Sequence, residues 1–137
     1  MSVALDQLIP HRAPMQWITA LTACTETTAT ATACFRADSF AVADDQVIET
    51  ALVECIAQTV AAALGSRNQS RGGTPGAAAN GMLVAVSNFK IQSRPPVGKT
   101  LNIEIQEQKR LGPMLMIAGT IACDGQTIAT GELSLYA

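Results

Sequence analysis

The stretch from Glu49 to Gly65 reads ETALVECIAQTVAAALG and predicts the one long helix of this chain. It is rich in alanine, leucine, glutamate and glutamine, which are strong helix formers, and it runs for about four turns. Asp44 or Asp45 is placed to cap its start, and Glu49 suits the positive end of the helix dipole. Gly65 stands where a C′ glycine would end the helix. We therefore expect the fold to be built around this segment.

Glu54 is the one charged residue in the middle of this helix. Between residues 51 and 64 the sequence is otherwise almost entirely apolar, and a helix that is apolar all round is normally buried all round. Gln58 follows four residues later, on the same face. Because an unpaired buried carboxylate is costly, Glu54 must have a reason to be there. Two interpretations stay open: proton transfer by a buried acid, or an ion pair at the helix edge or a subunit interface.

The overall composition excludes several classes of protein. The chain has 137 residues, 48% of them hydrophobic and 15% charged, which describes one folded domain with a substantial core. The net charge of −2 and the 4% aromatic content argue against a nucleic-acid-binding protein. No apolar run is long enough to span a membrane, and the N-terminus lacks the pattern of a signal peptide. A cytoplasmic protein without membrane segments is expected.

The four cysteines do not predict a metal site. Cys24, Cys34, Cys55 and Cys123 are scattered, with no CxxC pair, and the chain has one histidine. We expect all four to be reduced and buried as small apolar side chains.

The remaining sequence predicts about six strands. Threonine and alanine alternate in residues 27–36, which is typical of a strand with one buried face, and Asp124-Gly125 is a strong hairpin signal. Residues 66–81 are polar and glycine-rich and predict a loop. The order is two strands, the helix, and four strands in an antiparallel meander, which predicts a single α+β domain (residues 1–137) with the sheet curled around the helix. The predicted strands cover residues 15–22, 27–36, 82–91, 101–106, 114–123 and 126–136.

This order, together with four short motifs, resembles the hot-dog fold. More narrowly, the chain resembles the 3-hydroxyacyl-acyl-carrier-protein dehydratases of fatty-acid synthesis and their relatives from polyene pigment pathways. The resemblance covers nearly the whole chain, and the order and spacing of the motifs are more specific than any one of them. The motifs are IPHR at 9–12, VECIAQ at 53–58, NFK at 88–90 followed by GKTL at 98–101, and DG at 124–125.

The resemblance implies roles for particular residues. Glu54 would be the catalytic carboxylate, and Gln58 would orient it or the substrate. The backbone N–H near Ala85, together with amides at a helix N-terminus, would bind the thioester carbonyl. No cofactor is implied. The implied partners are an acyl-carrier-protein or CoA thioester and a second copy of the chain in a homodimer. The phosphopantetheine arm of the substrate would run past basic residues such as Lys90, Arg94 or Lys99.

The sequence departs from the family pattern at one catalytic position. The family places a histidine in an HFPG-like segment before the helix, whereas this chain reads ADSFAV at 37–42, with Ser39 nearest the missing histidine. His11 is the only histidine, and its family counterpart is usually structural. If the chain is a dehydratase, His11 is the obvious base to work with Glu54, and Ser39 is a weaker candidate.

Three hypotheses follow for the function. The first is dehydration of a 3-hydroxyacyl thioester, with His11 as base and Glu54 as acid. The second is hydrolysis of an acyl thioester, with Glu54 acting as nucleophile or activating a water. The third is a catalytically degenerate hot-dog subunit that binds acyl chains or completes a heterodimer with an active partner.

Overall fold

The computed structural model describes residues 5–9, 15–72 and 82–136. Its central helix, α1, spans Glu49–Ser70 and is longer than the sequence predicted. Gly65 lies inside the helix, so the prediction that it ends the helix is wrong. Its role is steric, because a Cβ at this position would collide with the backbone carbonyl of Leu8. Glycine is needed here to let the N-terminal segment lie directly against α1.

The start of α1 also differs from the prediction. The N-cap residue is Ile48, and no side chain caps the helix. Asp44 and Asp45 have φ angles of 55° and 60° and form the turn of a small hairpin before the helix. This left-handed conformation is one that aspartate tolerates better than most residues. The expected aspartate cap is therefore absent, while Glu49 does lie in the first turn, as predicted.

Eight strands accompany the helix within the residues that the structure describes. Six of them form one antiparallel sheet, and two form the hairpin that precedes α1. A short 3₁₀ helix covers Leu5–Gln7. The strands are β1 (Ile18–Cys24), β2 (Thr28–Ala33), β3 (Val42–Ala43), β4 (Gln46–Val47), β5 (Met82–Ile91), β6 (Leu101–Leu111), β7 (Met114–Cys123) and β8 (Gln126–Tyr136).

The large sheet has the strand order β1-β2-β6-β7-β8-β5. The predicted meander is correct for β6, β7 and β8, which pair in sequence, and the Asp124-Gly125 turn joins β7 to β8 with both φ angles positive. It is wrong for β5, which pairs with β8 and so lies at an edge of the sheet. The helix is followed in sequence by the edge strand, and the chain then crosses to the middle of the sheet.

The inner face of the sheet wraps around α1. In β2 the alanines point inward and the threonines outward, as the alternation predicted. Gly119 lets β7 lie close to α1, because a Cβ at this position would come within 2.6 Å of Cγ2 of Ile56 on the helix. The helix packs against β1, β2, β6, β7 and β8. It is therefore held by five strands, with β5 outside its main contact surface.

The cysteines are all free, but their burial was only partly predicted. Cys55 and Cys123 are buried, Cys24 is partly exposed, and Cys34 is exposed because it follows the last residue of β2. No helix in the part of the chain that the structure describes is long and apolar enough to cross a membrane.

Candidate active site

Glu54 lies on the side of α1 that the sheet leaves partly uncovered. Val53, Ala57, Ala61 and Leu64 share this side, and all of them are partly exposed. The prediction that the helix is buried all round is therefore wrong for the isolated chain. The carboxylate is accessible within a largely apolar stripe, where a ligand or a second subunit could contact it.

Gln58 is the most thoroughly bonded polar side chain near Glu54. It is fully buried, and its Oε1 accepts hydrogen bonds from the backbone N–H of Trp17 at 2.9 Å and of Ile18 at 3.3 Å. Its Nε2 donates to the carbonyl of Met15 at 2.7 Å and approaches Oε1 of Glu54 at 3.5 Å. Gln58 therefore ties α1 to the start of β1, with a weaker contact to the carboxylate.

The residue after Glu54 shows how dry this part of the helix is. Burial, with a smaller contribution from the adjacent Glu54 carboxylate, raises the pKa of the Cys55 thiol to about 12. A thiol with such a pKa stays protonated at neutral pH and is not a nucleophile. Cys55 is therefore a packing residue.

A cleft of about 300 Å³ opens beside the start of β1. Trp17 forms part of its wall, with ring centroids 6.0 Å from Phe35 and 5.9 Å from Phe40. Phe40 is 57% exposed, which is unusual for a phenylalanine. Since Gln58 binds the Trp17 backbone, the same side chain touches both the wall of the cleft and the turn that carries Glu54.

The aromatic cleft was not predicted from the sequence. Of the five aromatic residues in the chain, Trp17, Phe35 and Phe40 meet here. Their spacing in sequence gives no hint of contact, because β1 and the segment after β2 come together only through sheet pairing.

Ser39 also lines this cleft, but its hydroxyl has a local partner. Its Oγ accepts a hydrogen bond from the backbone N–H of Ala41 at 3.1 Å. This is a turn-stabilising contact of the kind that serine commonly makes. The structure places Ser39 in the wall of the aromatic cleft, in a backbone-supporting role.

The remaining predicted site residues are His11 and Ala85. His11 lies outside the described residues. Ala85 is on β5, which is not part of the main packing surface of α1. Among residues 5–9, 15–72 and 82–136, no group of three His, Cys, Asp or Glu side chains could hold a metal ion.

Two of the three basic residues expected near a substrate arm are engaged inside the chain. Lys99 pairs with Asp124 at 3.2 Å, and Arg94 binds Glu49 and several carbonyls. Lys90 lies on an exposed part of β5.

A curled antiparallel sheet around one long helix is the hot-dog fold, a fold that dehydratases and thioesterases share. Within it, this chain belongs to the ApeP-like dehydratase family, whose model, described as ApeP dehydratase, matches residues 3–137. No curated protein matches the chain by sequence.

Solved structures confirm the fold. A chain of the dehydratase heterocomplex ApeI:P from Xenorhabdus doucetiae has a TM-score of 0.88 at 21% identity, covering 99% of this chain and 91% of that one. A homologue of HP0420 from Helicobacter felis has a TM-score of 0.71 at 11% identity, covering 95% and 85%. A hypothetical thioesterase with coenzyme A from Streptococcus pneumoniae has a TM-score of 0.69 at 9% identity, covering 85% and 86%.

Proposed function

We propose that this chain dehydrates a 3-hydroxyacyl thioester, carried on an acyl-carrier protein or CoA, to the enoyl thioester. In this reaction a base removes a proton from C2, the C2–C3 double bond forms, and the C3–O bond breaks. The departing hydroxyl takes a proton from an acid and leaves as water. The family membership supports the class of reaction, and the accessible carboxylate of Glu54 on α1 is the observation that carries the proposal.

Glu54 is the acid in this scheme. A carboxyl group on an apolar helix face, with Gln58 beside it, is placed to give a proton to a hydroxyl group bound against that face. The base is an imidazole, because His11 is the single histidine of the chain and histidine titrates near neutral pH. It comes either from His11 or from a second subunit.

The assay for this proposal follows enoyl thioester formation from a 3-hydroxyacyl-CoA and a 3-hydroxyacyl-carrier protein. We expect enoyl absorbance to rise without release of free thiol. Free thiol without an enoyl product would instead indicate a thioesterase, and neither product, with or without a hot-dog homologue, would contradict both activities. Replacing His11 by asparagine distinguishes the two sources of the base. The variant should lose activity if His11 is the base and stay active if a different partner subunit supplies the histidine.

Hydrolysis of an acyl thioester is the second candidate. The observation that favours it is that segment 37–42 lacks the histidine that the dehydratase resemblance implies, while Glu54 lies on a partly exposed face of α1. The similar fold of the hypothetical thioesterase from Streptococcus pneumoniae, which was solved with coenzyme A, supports this alternative. The measurement of thiol release decides between the two.

A second hot-dog subunit completes the site by pairing along β5. Leu83 pairs with Leu135, and Val86 pairs with Leu133. Both partners on β8 are buried in the core, whereas Leu83 is 41% exposed and Val86 is 42% exposed. Their side chains therefore lie on the inner face of the sheet where α1 does not cover them. A long apolar edge strand is normally covered by another chain or protected by charges. The heterocomplex formed by the relative from Xenorhabdus doucetiae supports a partner subunit of the same fold.

Replacing Val84 by lysine is expected to abolish this pairing. Val84 is 53% exposed on β5, and a lysine on an edge strand opposes strand addition. The mass of the purified species is measured by light scattering, for the chain alone and after co-expression with a histidine-bearing hot-dog homologue. Leu111→Lys is the matched control, because Leu111 is 58% exposed but lies at the end of β6. A monomeric wild type under both conditions, or a Val84→Lys variant that keeps its partner, would contradict the pairing.

We further propose that the backbone N–H of Ala85 binds the thioester carbonyl at this subunit interface. Ala85 is exposed on β5 in the single chain. Its N–H would become part of an enclosed binding site only after a partner subunit packs against this strand.

A further inference from the structure

Arg94 is bound by four oxygen atoms from one short segment of the chain. Its Nε donates to the carbonyl of Val47 at 3.0 Å and lies 3.2 Å from Oε1 of Glu49. Its Nη2 donates to the carbonyls of Ala43 at 2.9 Å and Gln46 at 3.2 Å. The planar guanidinium therefore holds both strands of the β3–β4 hairpin and the first residue of α1 together.

Backbone contacts reinforce the same junction. The N–H of Val47 donates to the carbonyl of Pro95 at 2.9 Å, and the N–H of Val97 donates to that of Asp45 at 3.1 Å. Further along, the N–H of Gly98 donates to the carbonyl of Phe35 at 2.9 Å. The segment from Arg94 to Gly98 is therefore hydrogen-bonded at several points to the chain between β2 and α1.

The hairpin that Arg94 holds is continuous with the wall of the aromatic cleft. The N–H of Val42 donates to the carbonyl of Ser39 at 3.2 Å, and the N–H of Ile48 donates to that of Ala41 at 2.8 Å. Phe40 lies between these anchored residues and contacts Trp17. A shift of the hairpin would therefore move Phe40 on one side and the first turn of α1, which leads to Glu54, on the other.

The electrostatic setting argues against a role in helix stability alone. Arg94 places a cation at the positive end of the α1 dipole, where positive charge is unfavourable. The contacts that offset this cost are the ion pair with Glu49 and the directed bonds to three carbonyls, and an ammonium ion cannot reproduce the three directed bonds. Both the planar shape and the charge of the guanidinium therefore contribute to holding this junction.

We propose that Arg94 is a positioning residue that sets the Ser39–Phe40 wall of the cleft relative to Trp17 and Glu54. The part of this proposal that concerns catalysis rests on the dehydratase activity proposed above. The part that concerns the cleft does not, because Trp17 is the single tryptophan of the chain and reports on its neighbours without substrate.

The first test uses the fluorescence of Trp17 in the full chain. Arg94→Met is expected to shift the emission maximum and to increase quenching by acrylamide, because Phe40 no longer covers the indole. Arg94→Lys is expected to do the same, since one ammonium cannot hold three carbonyls. The matched control is Arg67→Met. Arg67 is 7% exposed and also binds carbonyls, those of Thr25 and Thr28, but it lies at the other end of α1.

The second test measures kcat under conditions where circular dichroism shows every variant fully folded. We expect kcat to fall up to ~10²-fold in Arg94→Met and Arg94→Ala, because a displacement of about 1 Å can cost that much. Arg67→Met should keep the wild-type kcat. Guanidinium ion should restore Arg94→Ala, and urea, which has the same planar shape without the charge, should not.

The outcomes separate this proposal from the proposed function. Wild-type emission and quenching in Arg94→Met, or equal changes in Arg67→Met, would overturn the positioning role whether or not the chain is a dehydratase. Wild-type kcat in Arg94→Met would overturn its catalytic part. An inactive wild type with the expected fluorescence changes would overturn the proposed reaction and leave the positioning of the cleft supported.

Discussion

Replacing Glu54 by glutamine is expected to lower kcat for dehydration about 10²–10⁴-fold while leaving the chain folded. Glutamine keeps the size of the side chain and its hydrogen bonding but cannot give a proton to the departing C3 hydroxyl. Glu54 is partly exposed, and the amide oxygen of a glutamine there can still accept the contact from Nε2 of Gln58, so we expect the chain to stay folded. Dehydration is measured by enoyl absorbance and folding by circular dichroism.

The matched control for Glu54→Gln is Glu104→Gln. Glu104 is exposed on the outer face of β6, far from the helix stripe in the fold, and its replacement should leave kcat unchanged. A Glu54→Gln variant as fast as the wild type would remove the basis of the proposed mechanism. If both variants lost activity equally, the effect would come from overall charge and not from proton transfer.

Replacing Gln58 by leucine is expected to destabilise the chain by about 3 kcal/mol. The fully buried amide satisfies three backbone groups, the carbonyl of Met15 and the N–H groups of Trp17 and Ile18. Each buried polar group left without a partner costs about 1–3 kcal/mol. Total stabilities of domains are typically about 5–15 kcal/mol, so this loss should be easily measured as a lower midpoint of urea unfolding.

Thr59→Val provides the control at the neighbouring position. Thr59 is equally buried, but its hydroxyl donates to the carbonyl of Cys55 one turn earlier in the same helix, at 2.8 Å. That carbonyl can still accept the backbone bond of α1, so the loss should be about 1 kcal/mol or less. Equal destabilisation by the two substitutions would mean that Gln58 contributes no long-range support to β1.

The candidate site was only partly predictable for reasons that can be read from individual residues. Glu54 and Gln58 are four residues apart on one helix, so local geometry alone places them together. The partners of Gln58 lie about forty residues away in sequence, in a segment whose path depends on the pairing of β1 with β2. Arg94 is a comparable case, because three of its four acceptors lie in a hairpin about fifty residues away in sequence and the fourth is the first residue of α1.

The sequence by itself determined the elements whose signals are local: the helix from its alanine-rich composition, β2 from its threonine and alanine alternation, and the β7–β8 turn from Asp124-Gly125. It also carried the motifs that point to a hot-dog dehydratase. Only the tertiary structure decided that α1 continues past Gly65, that β5 lies at an open edge, and that Phe40 meets Trp17. Each of these depends on which distant segments pack against each other, and packing energy summed over the whole core outweighs the local preference of any one residue.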